Sequence, residues 1–371
     1  MTTSAISPQS LDECRDLLGV WLRRRGHNTV VAEGAIHRWT KAIGDRNPLF
    51  LDPNHAPNSS VGAPVAPPCW LYTVDDTIVA LKFPELHVVY GGTDWEFFRW
   101  ARVGKEITTR ARLIDIQVKD GRFSGAMIQQ TGEVEYLGST GEVVARATST
   151  VLRTSREEAV KLGKYNNLEA YRYSQEELFG VEDAYDAEEY RGPDPRYWED
   201  VEVGDHIQPV VKGPLTSEDV LQFICATRPA PGFSRFVRER QRHPSIAFQD
   251  ANTGTWNSWE AGMLDNPVAR MMGFPGAHDC GLDRISWVSQ LLTNWMGDAG
   301  FLSKLSVRLT RPNLYGDVTW CEGSVSSKGS QGVVELNLQC RDQRGETTAA
   351  GTAEVILPSR VQPTQGSGAA G

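Results

Sequence analysis

The chain has 371 residues, 40% hydrophobic and 23% charged, with a formal net charge of −9. That length carries two ordinary domains, each able to bury a core, in a composition typical of soluble globular proteins. The acidic balance argues against nucleic acid as the main partner, and no apolar run approaches the roughly 20 residues of a membrane span.

The six cysteines (Cys14, Cys69, Cys225, Cys280, Cys321, Cys340) are scattered, with no CxxC pair. Neither a zinc site nor a disulfide framework is expected. The first residues, "MTTSAISPQS", lack a basic and apolar signal segment, so a reduced, cytoplasmic protein is expected.

In chain order the first element is a helix. Ser10 with Glu13 reads as a capping box, followed by Leu11, Leu17, Leu18, Trp21 and Leu22. Ala35, Ile36, Trp39, Ala42 and Ile43 place one buried face on a second helix. It runs into the loop "AIGDRNPLFLD" (42–52). A strongly apolar segment follows "APPCW" and continues from Leu71 to Leu81, the expected long buried element of the first half.

Strand-like runs come next, opened at Gly104-Lys105, turned at Lys119-Asp120-Gly121 and continued to Tyr136. Residues 157–190, charged and rich in tyrosine, read as a solvated linker with some helix. The order then repeats. A Ser217 cap opens a helix bearing Val220, Leu221, Phe223, Ile224, Ala226 and Thr227, and a long excursion (229–272) follows. A second apolar segment from Leu282 to Met296 has Ile285, Val288, Leu292 and Trp295 on one face. Strand-like runs resume at Gly316-Asp317, turn at Lys328-Gly329 and continue from Val333 to Cys340. The repeat is explicit in "GEVVARATSTVLRTSR" (141–156) and "GETTAAGTAEVILPSR" (345–360), which share Gly-Glu, Ser-Arg and the length between. The final "QPTQGSGAAG" reads as a disordered tail.

These residues carry a family resemblance. "IHRWTKAIGDRNPLFLD", "APPCW" and "DWEFFRWARVGKEI" in the first half resemble a FAS1-like dehydratase domain. "RYWEDVEVGD", "GFPG" and "LSVRLTRPNLYGD" in the second resemble a MaoC-like domain. The resemblance implies an α+β protein of two tandem hot-dog folds, each an antiparallel sheet wrapped around a long central helix. The expected division is 1–160 and 193–360 for the two domains, 161–192 for the linker and 361–371 for the tail.

It also implies a hydro-lyase that hydrates a 2-enoyl-CoA or dehydrates a 3-hydroxyacyl-CoA, without metal or other cofactor. The many tryptophans suggest a bulky, branched or polycyclic acyl group, as in lipid or steroid side-chain metabolism. Two alternatives stay open: a non-catalytic acyl-binding subunit, and a thioesterase-like hydrolase. Acyl-CoA is the expected substrate, without nucleic acid or membrane, in a homodimer or a heteromer with a small MaoC-like subunit.

Hydratases of this superfamily use a D-x-N-P-x-H loop whose Asp and His hold a water, and helix amides that polarise the thioester. Here Asp45, Asn47 and Pro48 are present, but Phe50 stands at the His position. Pro229 falls opposite Asp45 in the second half, which has no such motif. Asp45 is therefore a catalytic carboxylate or a turn-former.

"AHDCGLD" (277–283) is the sharper candidate, placed before the second apolar segment. His278 would act as acid–base, Asp279 would orient it, and the amides of Cys280 and Gly281 would form the oxyanion hole. The bland alternative is ordinary N-capping, with His278 only packing. Asn47, Phe50, Trp70 and His243 are the expected substrate-binding residues. Phe50 would line an acyl channel. His243 sits beside Arg235, Arg238, Arg240 and Arg242, which form either an exposed charged stretch or a phosphate rim.

Overall fold

The computed structural model describes residues 6–228 and 233–361. The match of Pro229 to Asp45 and the tail from 362 lie outside the described residues. In chain order the first half contains α1 (Pro8–Arg15), β1 (Leu22–Arg23), α2 (Glu33–Ile43), α3 (Pro48–Leu51), β2 (His87–Phe97), β3 (Ile107–Gly121), β4 (Gly125–Gly138) and β5 (Val143–Thr154). Helices α4 (Arg156–Leu162) and α5 (Gln175–Asp186) follow. The second half contains β6 (His206–Lys212), α6 (Ser217–Thr227), α7 (Phe233–Arg242), β7 (Ala247–Gln249), β8 (Trp256–Ser258), α8 (Asn266–Met271), α9 (Leu282–Met296), β9 (Phe301–Leu309), β10 (Thr319–Lys328), β11 (Val333–Asp342) and β12 (Thr347–Ile356).

One 10-stranded antiparallel sheet runs β1-β3-β4-β5-β2-β9-β12-β11-β10-β6. Read outward from the β2–β9 junction, the halves have the same order. That junction pairs Trp95 with Leu305 and Gly92 with Arg308. The sequence repeat maps onto β5 and β12, each entered through a left-handed glycine, Gly141 (φ 85°) and Gly345 (φ 77°). The matching helices α2 and α6 also meet, with Trp39 and Phe223 rings 5.2 Å apart.

Only the second half has the expected central helix. All 15 residues of α9 are buried. In the first half, residues 71–81 form no long helix. A 3₁₀ turn spans Pro68–Thr73, and irregular chain follows to β2. The cause is local. Thr73, Val74, Thr77, Ile78 and Val79 are β-branched, and the Asp75 and Asp76 carboxylates accept the amides of Thr77 (2.9 Å) and Ile78 (3.1 Å). Such side-chain bonds compete with helix formation. Arg24 then clamps the segment, donating to both Asp75 oxygens (2.7 and 2.9 Å) and to the Ile78 carbonyl (3.1 Å).

Two predicted caps shift. Ser7 caps α1 by accepting from the Ser10 amide, and Thr216 with Asp219, not Ser217, forms the capping box of α6. The charged segment 161–192 lies against the second half. Tyr173 and Tyr185 donate to the carbonyls of Gly316 (2.7 Å) and Gly213 (3.0 Å), and the Glu188 carboxylate accepts from Gln290 and Asn294 of α9.

Candidate active site at the end of the buried helix

A cavity of about 920 Å³ lies between the halves. Its first-half wall includes the irregular stretch 76–86, the start of β2, the end of β5 and the start of α4; its second-half wall includes residues of α7, Trp259, Phe274 and the run His278–Leu282. The segment that fails to form a helix is thus part of the wall.

Helix α9 begins at this cavity. Its N-cap, Gly281, has φ 80° and no side-chain cap. The amides of the first turn lack intrahelical acceptors, and the helix dipole adds partial positive charge there. Glycine is required: a Cβ at 281 would meet Leu309 Cδ1 at 2.5 Å in a backbone conformation that L residues rarely adopt. The expected partnership of Gly281 with Cys280 needs correction. The Cys280 amide already donates to the Asp283 carboxylate at 3.0 Å, so it is not free for an oxyanion. Burial holds the Cys280 thiol well above its usual pKa, which leaves it a thiol and a poor nucleophile.

His278 lies on the cavity wall and is 9% exposed. Its Nδ1 is 3.0 Å from the Gly276 carbonyl oxygen. A carbonyl can only accept, so Nδ1 carries the proton and Nε2 keeps its lone pair. The ring stacks on Phe274 with centroids 4.3 Å apart. Burial pushes its pKa below the ordinary 6.5, and the imidazole is neutral.

Asp279 does not orient His278. Its carboxylate takes two bonds from Arg284 (2.6 and 3.1 Å) and the Asn313 amide (3.4 Å). Arg284 also donates to the carbonyls of Arg311 and Thr348. This buried pair ties the α9 entrance to the strand ends. It is a brace, and the carboxylate has no bond to the imidazole.

The Asp45 loop is elsewhere. Asp45 is 3% exposed and accepts from the Asn47 amide at 2.9 Å; its second oxygen is buried without a partner. Burial raises its pKa to about 7. Asn47 caps α3 by accepting from the Leu49 amide at 3.0 Å. Phe50 packs in the core, its ring 6.2 Å from Trp100, and Trp70 is fully buried. None of these four lines the cavity. The expectation of Phe50 and Trp70 as acyl-binding residues, and of Asp45 at the chemistry, is corrected: the loop is a turn that seals a core. His243, just after α7, does stand on the cavity wall, at an exposed position.

Sequence reasoning missed His87. It opens β2 in the other half, lines the same cavity, and meets the Phe274 ring edge-on with centroids 6.3 Å apart. Burial first, then the positive charge of Arg156, pushes its pKa down to about 3. A single histidine in "ELHVVY" has no motif spacing to flag it; only the folded sheet places it opposite His278. Among the described residues no group of three or more His, Cys, Asp or Glu is placed to hold a metal ion, and no helix is long and apolar enough to cross a membrane.

Comparison with known proteins agrees with this architecture. Residues 16–147 match the model of the FAS1-like dehydratase domain region. A UPF0336 protein from Thermobifida fusca (strain YX) is 31% identical over 126 residues, 32% of this chain and 80% of that protein. Among solved structures, a MaoC-like dehydratase aligns with TM-score 0.67 at 15% identity, over 93% of this chain and 100% of its own. A MaoC domain protein dehydratase from Chloroflexus aurantiacus J-10-fl gives 0.60 at 14%, over 93% and 96%. A Mycobacterium tuberculosis protein described as a double hotdog fold gives 0.52 at 12%, over 92% and 97%. At these identities the structural likenesses concern the fold.

Proposed function

We propose that this chain, which belongs to the MaoC-like hot-dog dehydratase superfamily, is a hydro-lyase acting on acyl thioesters. The reaction is addition of water to a 2-enoyl thioester or its reverse. One observation carries this reading: a neutral imidazole with a free Nε2, on His278, shares a cavity with the uncapped start of α9.

The thioester carbonyl accepts from the first amides of α9, which stabilise the enolate-like charge as it forms. His278 Nε2 takes a proton from water while the water oxygen bonds to C3. The imidazolium then returns the proton to C2, so one water is added and the imidazole regenerated. His87, also neutral, supplies a second acceptor for the same water. Two imidazoles from two halves thereby take the place of the missing Asp–His pair. The cavity volume of about 920 Å³ is at the upper end of the range for small-molecule sites, roughly 300–1,000 Å³, which supports a bulky acyl group.

The test is a series of 2-enoyl thioesters with purified protein, followed by loss of the conjugated-thioester absorbance and identification of the product. A 3-hydroxyacyl thioester is expected; free acid would point to hydrolysis instead. His278→Gln is expected to lower turnover about 10²–10⁴-fold with the fold intact. Unchanged turnover would overturn the assignment.

A second reading has a specific observation behind it: the one D-x-N-P loop is locked in a core away from the cavity. On that reading the chain holds the acyl group and a small MaoC-like partner supplies the dyad. A chain that binds enoyl thioesters, is inert alone and gains activity only with such a partner would establish it.

A further inference from the structure

Arg153 is a buried cation without a counter-ion. It is 4% exposed, on the cavity wall near the end of β5. One nitrogen, Nη2, donates to the carbonyls of Phe83 and Leu86 (3.0 Å to the latter). Its Nε is buried with no partner, and no carboxylate lies within ion-pair distance among the described residues. The ionisable groups facing it are the Cys14 thiol, a second cation, Arg156, and the His87 imidazole.

Arg156 repeats the pattern three residues on. It donates to the carbonyls of Glu85 (3.4 Å) and Ser245 (3.2 Å), leaves Nε unpartnered, and lies over the Trp259 ring at 4.3 Å. The Glu85 side chain faces it without pairing. Two other arginines differ: the partly buried Arg24 grips Asp75 and the buried Arg284 grips Asp279, each with two bonds to the carboxylate.

The clamp on residues 83–86 accounts for one nitrogen of Arg153. It leaves the charge and the Nε donor unexplained. Buried charges are otherwise paired, because desolvating one alone is costly. Burial pushes the Arg153 pKa down to about 10, so the guanidinium is still charged at neutral pH.

We propose that Arg153, assisted by Arg156, is a receptor for a carboxylate on the acyl group, so that the preferred ligand is the monothioester of a dicarboxylic acid. Nη2 spends its N–H groups on the two carbonyls, so Nε–H and the Nη1 pair remain to meet a carboxylate through single charge-assisted bonds and a matching single charge. The phosphates of a coenzyme handle are more heavily hydrated and carry several charges. They suit the exposed Arg122 and Lys164 on the same wall better than an enclosed single cation. With the reacting carbonyl at α9 and Arg153 in the first-half wall, the acyl chain spans the cavity between them. The inference rests on the acyl-thioester reading, and its test separates the two.

Calorimetry compares 2-enoyl-CoA ligands of stepped length ending in carboxylate, methyl ester or alkyl, with coenzyme A and free dicarboxylates as controls. At one chain length the carboxylate should bind about 10–100-fold tighter than its methyl ester, the range for a charge-assisted pair. Arg153→Met should erase that preference and leave alkyl thioesters within about threefold; Arg156→Gln should weaken it in part. If Arg153→Met fails to fold, the wild-type comparison across end groups decides alone.

Equal binding of all end groups at every length overturns the proposal and leaves the hydro-lyase reading standing. A loss confined to bare coenzyme A in Arg153→Met assigns the site to phosphate and also overturns it. If no thioester binds while free dicarboxylates stabilise the wild type but not Arg153→Met, the carboxylate receptor survives and the thioester reading fails.

Discussion

Asp45 is a carboxylate whose ionisation the fold opposes, and Asp45→Asn isolates that opposition. Burial raises its pKa from 3.8 to about 7, outweighing the Asn47 amide and the charge of Lys212. Between those values the folded protein holds a proton that the unfolded chain has released. Stability therefore falls as pH rises through this window, and the loss is complete above about pH 7. At about 1.4 kcal/mol per pH unit the gap amounts to about 4 kcal/mol. Asparagine keeps the oxygen that accepts from Asn47 and cannot ionise, while its extra N–H finds no acceptor at the partnerless position and gives back about 1–2 kcal/mol. The variant should be less stable by about 1 kcal/mol near pH 4 and more stable by about 2–3 kcal/mol at pH 8. Urea unfolding at stepped pH measures the difference. A gap that does not change with pH would refute the buried-acid argument. Loss of turnover in a fully folded variant would instead return Asp45 to the chemistry.

Asp279→Ala strips the partner from a guanidinium that is 2% exposed, and is expected to destabilise by about 3–5 kcal/mol in urea; a loss under about 1 kcal/mol would show that Arg284 re-pairs or is solvated. Phe50→Ala should cost about 3–5 kcal/mol as a core truncation, with KM of the folded fraction unchanged. A higher KM at full stability would restore the channel role, and a gain in turnover for Phe50→His would show that the loop lies one residue short of a working dyad. Burial lowers the His278 pKa from 6.5, so the acid limb of turnover should lie below the ordinary histidine value; an acid limb above 6.5 would mean that the base is a different group.

How legible the fold was depended on period and on local competition. The Gly-Glu to Ser-Arg repeat marks β5 and β12 because strand pairs with matching turns leave an alternating pattern and a left-handed glycine at the same offset. Segment 282–296 reads as a helix and is one. Segment 71–81 is equally apolar and is not, because composition marks burial there but not the Asp75 and Asp76 turns or the Arg24 clamp. Around the candidate site, "AHDCGLD" points to residues that do line the cavity, but it implies bonds that the structure does not contain. An Asp next to a His suggests an orienting pair, yet Arg284, five residues on, competes for the same carboxylate and wins with two charge-assisted bonds. His87 and Arg153 come from β2 and β5 of the other half, so no spacing in the chain could have associated them with His278.

The same loss explains the cavity and the silent loop. A sheet with two matching halves has room for a buried helix in each, and a helix needs its amides paired along its length. Once residues 74–86 take up side-chain turns, the first half has no helix start to polarise a carbonyl, and a histidine at position 50 would serve nothing there. Phe50 fits that condition, since it packs against Trp100 in the core. The irregular stretch instead becomes wall beside His87 of β2 and Arg153 of β5, which line the cavity that α9 opens. On the proposed mechanism, one half supplies the helix end and the other supplies side chains that face it across the cavity. That mechanism draws on both halves, so neither half is expected to act alone.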